Sequence, residues 1–163
     1  MNEKYKLRGG CTCGKVKYSI SEKPLFTQAC HCVDCKISTG SSYVIHTTIL
    51  DKTLSVDGKV ASTVLPTGSG KGYRAFFCIE CGVYLYCKYY IGPGRLNVRT
   101  KTLEDPNMFP PQVHIFTKDK DAWLNLSDKE KCFEAAYDRD KTWPEESIKR
   151  YNEHLGTIKW VEY

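Results

Sequence analysis

The sequence predicts a mainly antiparallel β domain followed by a short helical tail. Between Lys4 and Tyr90, short apolar or alternating runs are separated by Gly, Ser, Pro and Asp, which is typical of antiparallel strands. Past Trp123 the pattern changes from strands to helix. Seven of the nine cysteines fall into three groups within the β region, so the sheet is expected to carry closely spaced thiols.

The composition is typical of one globular domain with neither a membrane nor a nucleic-acid partner. The chain has 163 residues, 41% of them hydrophobic and 26% charged, and it lacks a signal peptide and any apolar run that could span a bilayer. We therefore expect a cytoplasmic protein, with the nucleus as the alternative location. The net charge of +5 is spread along the chain without a basic arm, so nucleic acid is not indicated as a partner.

Each strand is predicted from a short run of apolar residues bounded by turn residues. In Lys15–Ile20 apolar and polar side chains alternate, so one face of that strand is expected to meet solvent. Asp57-Gly58 lies between two such runs and predicts a hairpin turn. The predicted strands are Tyr5–Arg8, Lys15–Ile20, Leu25–Ala29, Tyr43–Thr48, Thr53–Val56, Ala61–Leu65, Tyr73–Phe77, Val83–Lys88, Arg95–Thr100 and Val113–Phe116.

The C-terminal part is predicted to be helical. Lys129–Tyr137 has a weak helical pattern. Pro144–Leu155 has a stronger one, because Pro144 stands near the first helical position, glutamates follow in the first turn and Gly156 comes just past the end. We therefore divide the chain into a β domain at residues 1–125 and a helical extension at residues 126–163 that packs on the same domain.

Two of the cysteine groups consist of a cysteine pair followed by glycine. They are Cys11-Thr12-Cys13-Gly14 and Cys78-Ile79-Glu80-Cys81-Gly82. In a reducing compartment such cysteines are expected to be metal ligands or reactive thiols. The glycine lets the backbone turn so that both sulfurs converge on one ion. Four thiolates from two distant segments, Cys11, Cys13, Cys78 and Cys81, therefore predict a closed structural zinc site.

A redox pair is the alternative for Cys78 and Cys81. That chemistry requires a strand followed by a helix, as in thioredoxin-like folds. Phe76-Phe77 before the pair and Val83–Lys88 after it both favour strands, so a zinc knuckle on a hairpin is the better interpretation.

The third group, Cys30-His31-Cys32-Val33-Asp34-Cys35, offers three thiols and no obvious fourth ligand. Structural zinc usually takes four protein ligands, whereas catalytic zinc takes three and leaves one position open. Cys30, Cys32 and Cys35 therefore predict an open metal site. His31, His46 and His114 are expected to be sheet residues or to face away from the metal, and none is placed in the site.

Three motifs together resemble the glutathione-dependent formaldehyde-activating enzyme family, also called the centromere protein V type domain. The resemblance covers roughly Lys6 to Trp123. The motifs are Gly10-Cys11-x-Cys13-Gly14-x-Val16-x-Tyr18, Cys30-His31-Cys32-x-x-Cys35-x-x-x-x-Gly40 and Arg74-x-Phe76-Phe77-Cys78-x-x-Cys81-Gly82.

This resemblance implies an Mss4-like fold, a twisted antiparallel β architecture with two zinc sites. In the family the outer cysteine pairs hold structural zinc, which here means Cys11, Cys13, Cys78 and Cys81. The middle group holds catalytic zinc, which here means Cys30, Cys32 and Cys35. Both assignments agree with the division obtained from counting ligands.

The implied activity is that of a zinc-dependent carbon–sulfur lyase. Three thiolates on Zn²⁺ leave a net charge of −1, and an incoming thiol can still occupy the fourth position as a thiolate. With glutathione as co-substrate, the thiolate adds to formaldehyde or a related small aldehyde, or the adduct is cleaved. Because glutathione is anionic, Lys36 and Arg74 are candidates for binding its carboxylates.

Two other functions keep the same fold. One is a zinc-stabilised binding module without catalysis, as the centromere-type members of the family suggest. The other is a zinc-sensing or redox-responsive protein in which the Cys30 group oxidises or exchanges metal. The expected partners are a small-molecule thiol and an aldehyde, and the sequence makes no prediction of oligomeric state.

Overall fold

The computed structural model describes residues 5–66 and 71–158, and in these ranges the chain forms eleven β-strands and three α-helices. No helix there combines the length and the apolar composition needed to cross a lipid bilayer. The strands are β1 Leu7–Gly10, β2 Lys17–Ile20, β3 Phe26–Cys30, β4 Val44–Leu50, β5 Leu54–Asp57, β6 Val60–Leu65, β7 Tyr73–Cys78, β8 Tyr84–Tyr89, β9 Arg95–Arg99, β10 Val113–Ile115 and β11 Cys132–Phe133. The helices are α1 Val33–Thr39, α2 Arg139–Thr142 and α3 Glu145–Leu155.

The strands of the described ranges form two sheets. The small sheet is antiparallel and has the order β1-β2-β5, while the large sheet has the order β11-β10-β3-β4-β9-β8-β7-β6. The large sheet is antiparallel except at one end, where β10 runs parallel to β3 and β11 runs parallel to β10. Parallel neighbours need a long connection, and the chain between β3 and β10 provides one.

All ten predicted strands overlap an observed strand, and their ends differ by at most two residues. The predicted helix at Pro144–Leu155 is also confirmed as α3. The helix predicted at Lys129–Tyr137 is wrong, because this segment contains β11, which pairs with the edge strand β10. Its weak local helical preference is overridden by pairing with a distant strand. The sequence analysis also missed α1, which begins within the third cysteine group.

The hairpin predicted at Asp57-Gly58 is wrong. β5 pairs with β2 in the small sheet, whereas β6 pairs with β7 in the large one, so the turn carries the chain from one sheet to the other. Gly58 has a φ of 106°, and a Cβ there would lie 2.2 Å from the carbonyl oxygen of Lys15. The turn therefore needs glycine both for its backbone conformation and for its close approach to the small sheet.

Two main groups of buried apolar residues hold the fold together. The first joins the small sheet to the large one, and includes Tyr18, Ile49 and Val98. The second lies at the other end of the large sheet and joins Phe26 on β3 to Trp143 and Tyr151 in the C-terminal segment. The segment after residue 125 therefore adds both an edge strand and core residues to the large sheet, while the domain division at that point stays a prediction.

Trp143→Ala is expected to lower the free energy of unfolding by about 3–5 kcal/mol, the usual effect of removing a large buried aromatic side chain. Trp143 is 5% exposed and stacks on Phe26 with 5.6 Å between ring centroids. Trp123 is 70% exposed, so Trp123→Ala is the matched control and should change the stability by less than about 0.5 kcal/mol. Urea unfolding of both variants measures the difference. Equal stabilities would show that the C-terminal segment adds nothing to the core.

Candidate active site

The four outer cysteines come together at the ends of two turns. Their Sγ atoms all lie within 4.8 Å of one another, with 3.4 Å between Cys11 and Cys13 and 3.7 Å between Cys13 and Cys78. A tetrahedral zinc site with Zn–S bonds of about 2.3 Å has S···S edges of about 3.8 Å. Cys81 completes the group. This donor set fits a closed metal site.

Backbone groups around this cluster favour the thiolate form. The Val16 amide donates a hydrogen bond to Cys11 Sγ at 3.2 Å. A backbone hydrogen bond from Val83 is the largest influence on Cys81 and, with one from Cys13, lowers its pKa to about 6. This lowered pKa favours the thiolate of Cys81, which is the form that binds metal.

The three inner cysteines form a second cluster where β3 meets α1. Their Sγ atoms lie within 4.8 Å of one another, and those of Cys30 and Cys32 are 3.5 Å apart. Cys30 ends β3, Cys32 is the N-cap of α1 and Cys35 lies in its first turn, where the amide of Cys35 donates to Cys32 Sγ at 3.4 Å. The cap holds the three sulfurs on one side of the strand–helix junction.

The pKa values of these three thiols are shifted in different directions. Cys30 and Cys35 are buried, while Cys32 is half-buried. Hydrogen bonds from Cys30 and then Cys35 lower the pKa of Cys32 to about 2, and the same bond to Cys32 raises the pKa of Cys30. Cys32 is thus a thiolate at neutral pH, ready to act as a metal ligand.

Two residues beside the inner cluster are absent from the predicted site, His46 because its strand-like run predicts a sheet residue, and Arg99 because none of the motifs contains it. His46 on β4 is buried, and its Nε2 lies 3.6 Å from Cys35 Sγ and 3.3 Å from Nη1 of Arg99. Burial and the Arg99 charge lower the pKa of His46 well below its usual value, so the ring is neutral. Arg99 is itself buried, and its guanidinium lies 3.7 Å from the ring centroid of Tyr84. Only the β4–β9 register places Arg99 opposite His46, so no local signal could have found the pair.

His31 is fully buried and does not line the cavity beside the inner cysteines. Its Nε2 is 2.9 Å from Nδ1 of His114. The other nitrogen of His114, Nε2, lies 3.3 Å from Glu130 Oε1. These contacts tie the cysteine-rich junction to β10 and to the segment that precedes β11.

A cavity of about 590 Å³ opens beside the inner cysteines. This volume falls in the range of about 300–1,000 Å³ that is common for small-molecule sites. Cys30, Cys32, Cys35 and His46 form one part of its lining. The rest includes three cations, three tyrosines and two side-chain amides, namely Arg95, Lys118, Arg139, Tyr73, Tyr89, Tyr137, Gln28 and Asn97.

Neither predicted substrate-binding cation lines this cavity. Lys36 Nζ forms an ion pair with Asp121 Oδ1 at 2.6 Å and also donates to the Asp119 carbonyl at 2.8 Å. Arg74 is exposed on β7, where its Nη1 donates to Ser62 Oγ at 3.2 Å. A role for Lys36 and Arg74 in binding glutathione stays a prediction.

Comparison with known proteins identifies the family. Residues 6–119 match the sequence model of the glutathione-dependent formaldehyde-activating enzyme family. The chain belongs to this family. The resemblance of the three cysteine motifs is thereby confirmed, and the mainly β architecture with its cysteine clusters and C-terminal helix agrees with the Mss4-like fold of the glutathione-dependent formaldehyde-activating enzymes.

A crystal structure of a Rhodobacter sphaeroides protein from a structural genomics programme is similar in part. It is 24% identical, covers 62% of this chain and 93% of its own, and has a TM-score of 0.48. No curated protein matches the chain. At the level of the family, the glutathione-dependent formaldehyde-activating enzymes act on glutathione and aldehydes and include carbon–sulfur lyases, and both cysteine clusters of this member could bind zinc.

Proposed function

We propose that the protein is a zinc-dependent carbon–sulfur lyase that joins the thiol of glutathione to formaldehyde or a related small aldehyde, or cleaves the adduct. The observation that carries this proposal is the position of the three-cysteine cluster, which forms part of the wall of a cavity of about 590 Å³. The four-cysteine cluster has its full set of ligands and serves the fold. The three-cysteine cluster is one protein ligand short of a closed site.

Cys30, Cys32 and Cys35 would hold the catalytic zinc. Zinc held there would lower the pKa of an incoming thiol and keep it as a nucleophile. In the reaction, a bond forms between the thiol sulfur and the aldehyde carbon, the carbonyl π bond breaks, and the thiol proton ends on the aldehyde oxygen. Cys30 and Cys35 are themselves buried in the cavity wall.

Two amides that line the cavity are our candidates for stabilising the oxygen that gains negative charge. The Tyr137 hydroxyl donates to Gln28 Oε1 at 2.5 Å, and the Thr48 hydroxyl donates to Asn97 Oδ1 at 2.7 Å. Because both amide oxygens already accept a hydrogen bond, the two NH₂ groups are the ends available to a substrate. Donors aimed at a developing oxyanion are a common means of stabilising such transition states.

The direct test is exchange spectroscopy with ¹³C-labelled formaldehyde and glutathione. We expect the zinc-loaded full chain to speed interconversion between hydrated formaldehyde and the S-hydroxymethyl adduct above the uncatalysed rate. A rate equal to that of the protein-free mixture, at full zinc loading, would contradict the proposal. Zinc binding without any binding of glutathione would instead fit a zinc-stabilised binding module.

A further inference from the structure

One wall of the cavity comes from outside the part of the chain that matches the family. The match ends at residue 119, whereas Tyr137 and Arg139 line the cavity from the C-terminal segment. Tyr137 is held in place on both sides, since it accepts a hydrogen bond from Trp143 Nε1 at 2.8 Å and donates one to Gln28 on β3. The segment is therefore fastened to the strand that leads into the inner cysteines.

The same segment positions a cation of the family-matched part. Arg95 at the start of β9 lines the cavity, and its guanidinium carbon lies 5.8 Å from the ring centroid of Trp143 and 5.7 Å from that of Tyr151. It also rests against the backbone, because a Cβ at Gly92 would lie 2.5 Å from Arg95 Nη2. These contacts hold the side chain in place.

Arg95 has no carboxylate within ion-pair distance among residues 5–66 and 71–158. Cation–π contacts leave the five N–H donors at the rim of the guanidinium plane, which is the edge that recognises carboxylates. A second guanidinium, that of Arg139, lines the same cavity and lies 4.8 Å from the Tyr151 ring centroid. Arg139 pairs with Asp140 at 2.7 Å, so within residues 5–66 and 71–158 Arg95 is the one of these two arginines without an ion pair.

We propose that the C-terminal segment makes this member selective for acidic thiols, by holding Arg95 as the carboxylate-binding cation in the wall of the cavity, with Arg139 as a second cation of the same wall. The ligand class is a thiol that carries a carboxylate away from its sulfur. This inference rests on the proposed function for the reaction of the thiol. Arg95 and Arg139 are specificity residues, and Trp143 and Tyr151 are positioning residues that act through Arg95.

Kinetic selectivity is the first test, with the zinc-loaded full chain and ¹³C-formaldehyde. We expect Arg95→Ala to lower the ratio of kcat/KM for glutathione to kcat/KM for 2-mercaptoethanol. The expected decrease is about 10- to 100-fold, which corresponds to the free energy of a hydrogen bond to a charged group. Arg8→Ala is the matched control, because Arg8 is exposed on β1 and lies outside the cavity lining. An unchanged ratio in the Arg95 variant would overturn the inference.

Two further variants test the same carboxylate site by other substitutions. Arg95→Lys retains the charge but loses the paired donors, and is expected to give an intermediate ratio. Arg139→Ala removes a partly exposed side chain, so it reports on the carboxylate site even where Arg95→Ala fails to fold. An unchanged ratio in Arg139→Ala and Arg95→Lys would also overturn the inference.

Calorimetry with S-methylglutathione separates this inference from the proposed function, because the blocked sulfur cannot add to an aldehyde. We expect binding to weaken by about 10- to 100-fold in Arg95→Ala. If this loss is seen while no thiol is turned over, the proposed function fails and the carboxylate site stands. If Arg74→Ala or Lys36→Ala weakens binding and Arg95→Ala does not, the carboxylate site is overturned while the proposed function stands.

Discussion

Cys32→Ser is expected to reduce formation of the S-hydroxymethyl adduct to the uncatalysed rate while the protein stays folded. Cys32 is half-buried and is the N-cap of α1, where its sulfur accepts a hydrogen bond from the Cys35 amide. Serine is among the best N-cap residues, so the helix keeps its cap. The hydroxyl is not ionised at neutral pH, so the cluster loses the thiolate most suited to hold metal. Circular dichroism, zinc content and ¹³C exchange rates measure the three effects.

The zinc content should fall from two ions to one per chain in this variant. Cys132→Ser is the matched control, because Cys132 is exposed on β11 and belongs to neither cysteine cluster. It should retain both ions and the exchange rate of the parent. Full activity or two zinc ions in Cys32→Ser would contradict the assignment of the catalytic metal to the three-cysteine cluster.

Cys81→Ser is expected to destabilise the fold, in contrast to Cys32→Ser. The four outer thiols tie the turn after β1, in the small sheet, to the turn between β7 and β8, in the large one. Zinc-binding free energies at such sites are about 10–16 kcal/mol in model peptides, as large as the whole stability of about 5–15 kcal/mol of a typical domain. Removing one ligand should therefore lower the melting temperature far more than removing Cys32 does.

Thermal unfolding followed by circular dichroism checks this result. A strong chelator added to the parent protein should lower the melting temperature in the same way, because it removes the same metal. If Cys81→Ser melts at the temperature of the parent, the four-cysteine cluster is not a structural site. The pair of cysteine-to-serine changes thus separates a metal that serves folding from one that serves the reaction.

Features with a local cause were predictable from the sequence. Strand residues alternate with a period of two, so ten of the eleven strands of the described ranges were predicted with small shifts at their ends. Cysteine pairs followed by Gly14 and Gly82 carry their turn geometry with them, since both glycines have a positive φ. A shared metal site of Cys11 and Cys13 with Cys78 and Cys81 was predicted from the matching cysteine–glycine pattern of the two pairs.

Features that depend on distant partners were not predictable. β11 exists because it pairs with β10, and Asp57-Gly58 joins two sheets because β5 finds β2 rather than β6. The spacing of residues along the sequence does not specify which strands pair, because pairing depends on which apolar faces can be buried together.

The sequence by itself predicted the division of seven cysteines into four and three, because the spacing within each cysteine group is a local property. The meeting of the two outer pairs, with Cys13 and Cys78 65 positions apart, belongs to the tertiary structure. Only the tertiary structure decided what surrounds the group of three. Packing of the C-terminal segment against β3 brings Tyr137 and Arg139 to the cavity, and the β4–β9 register brings Arg99 to His46. The side chains that line the cavity come from segments far apart in the chain, and packing of the core brings them together.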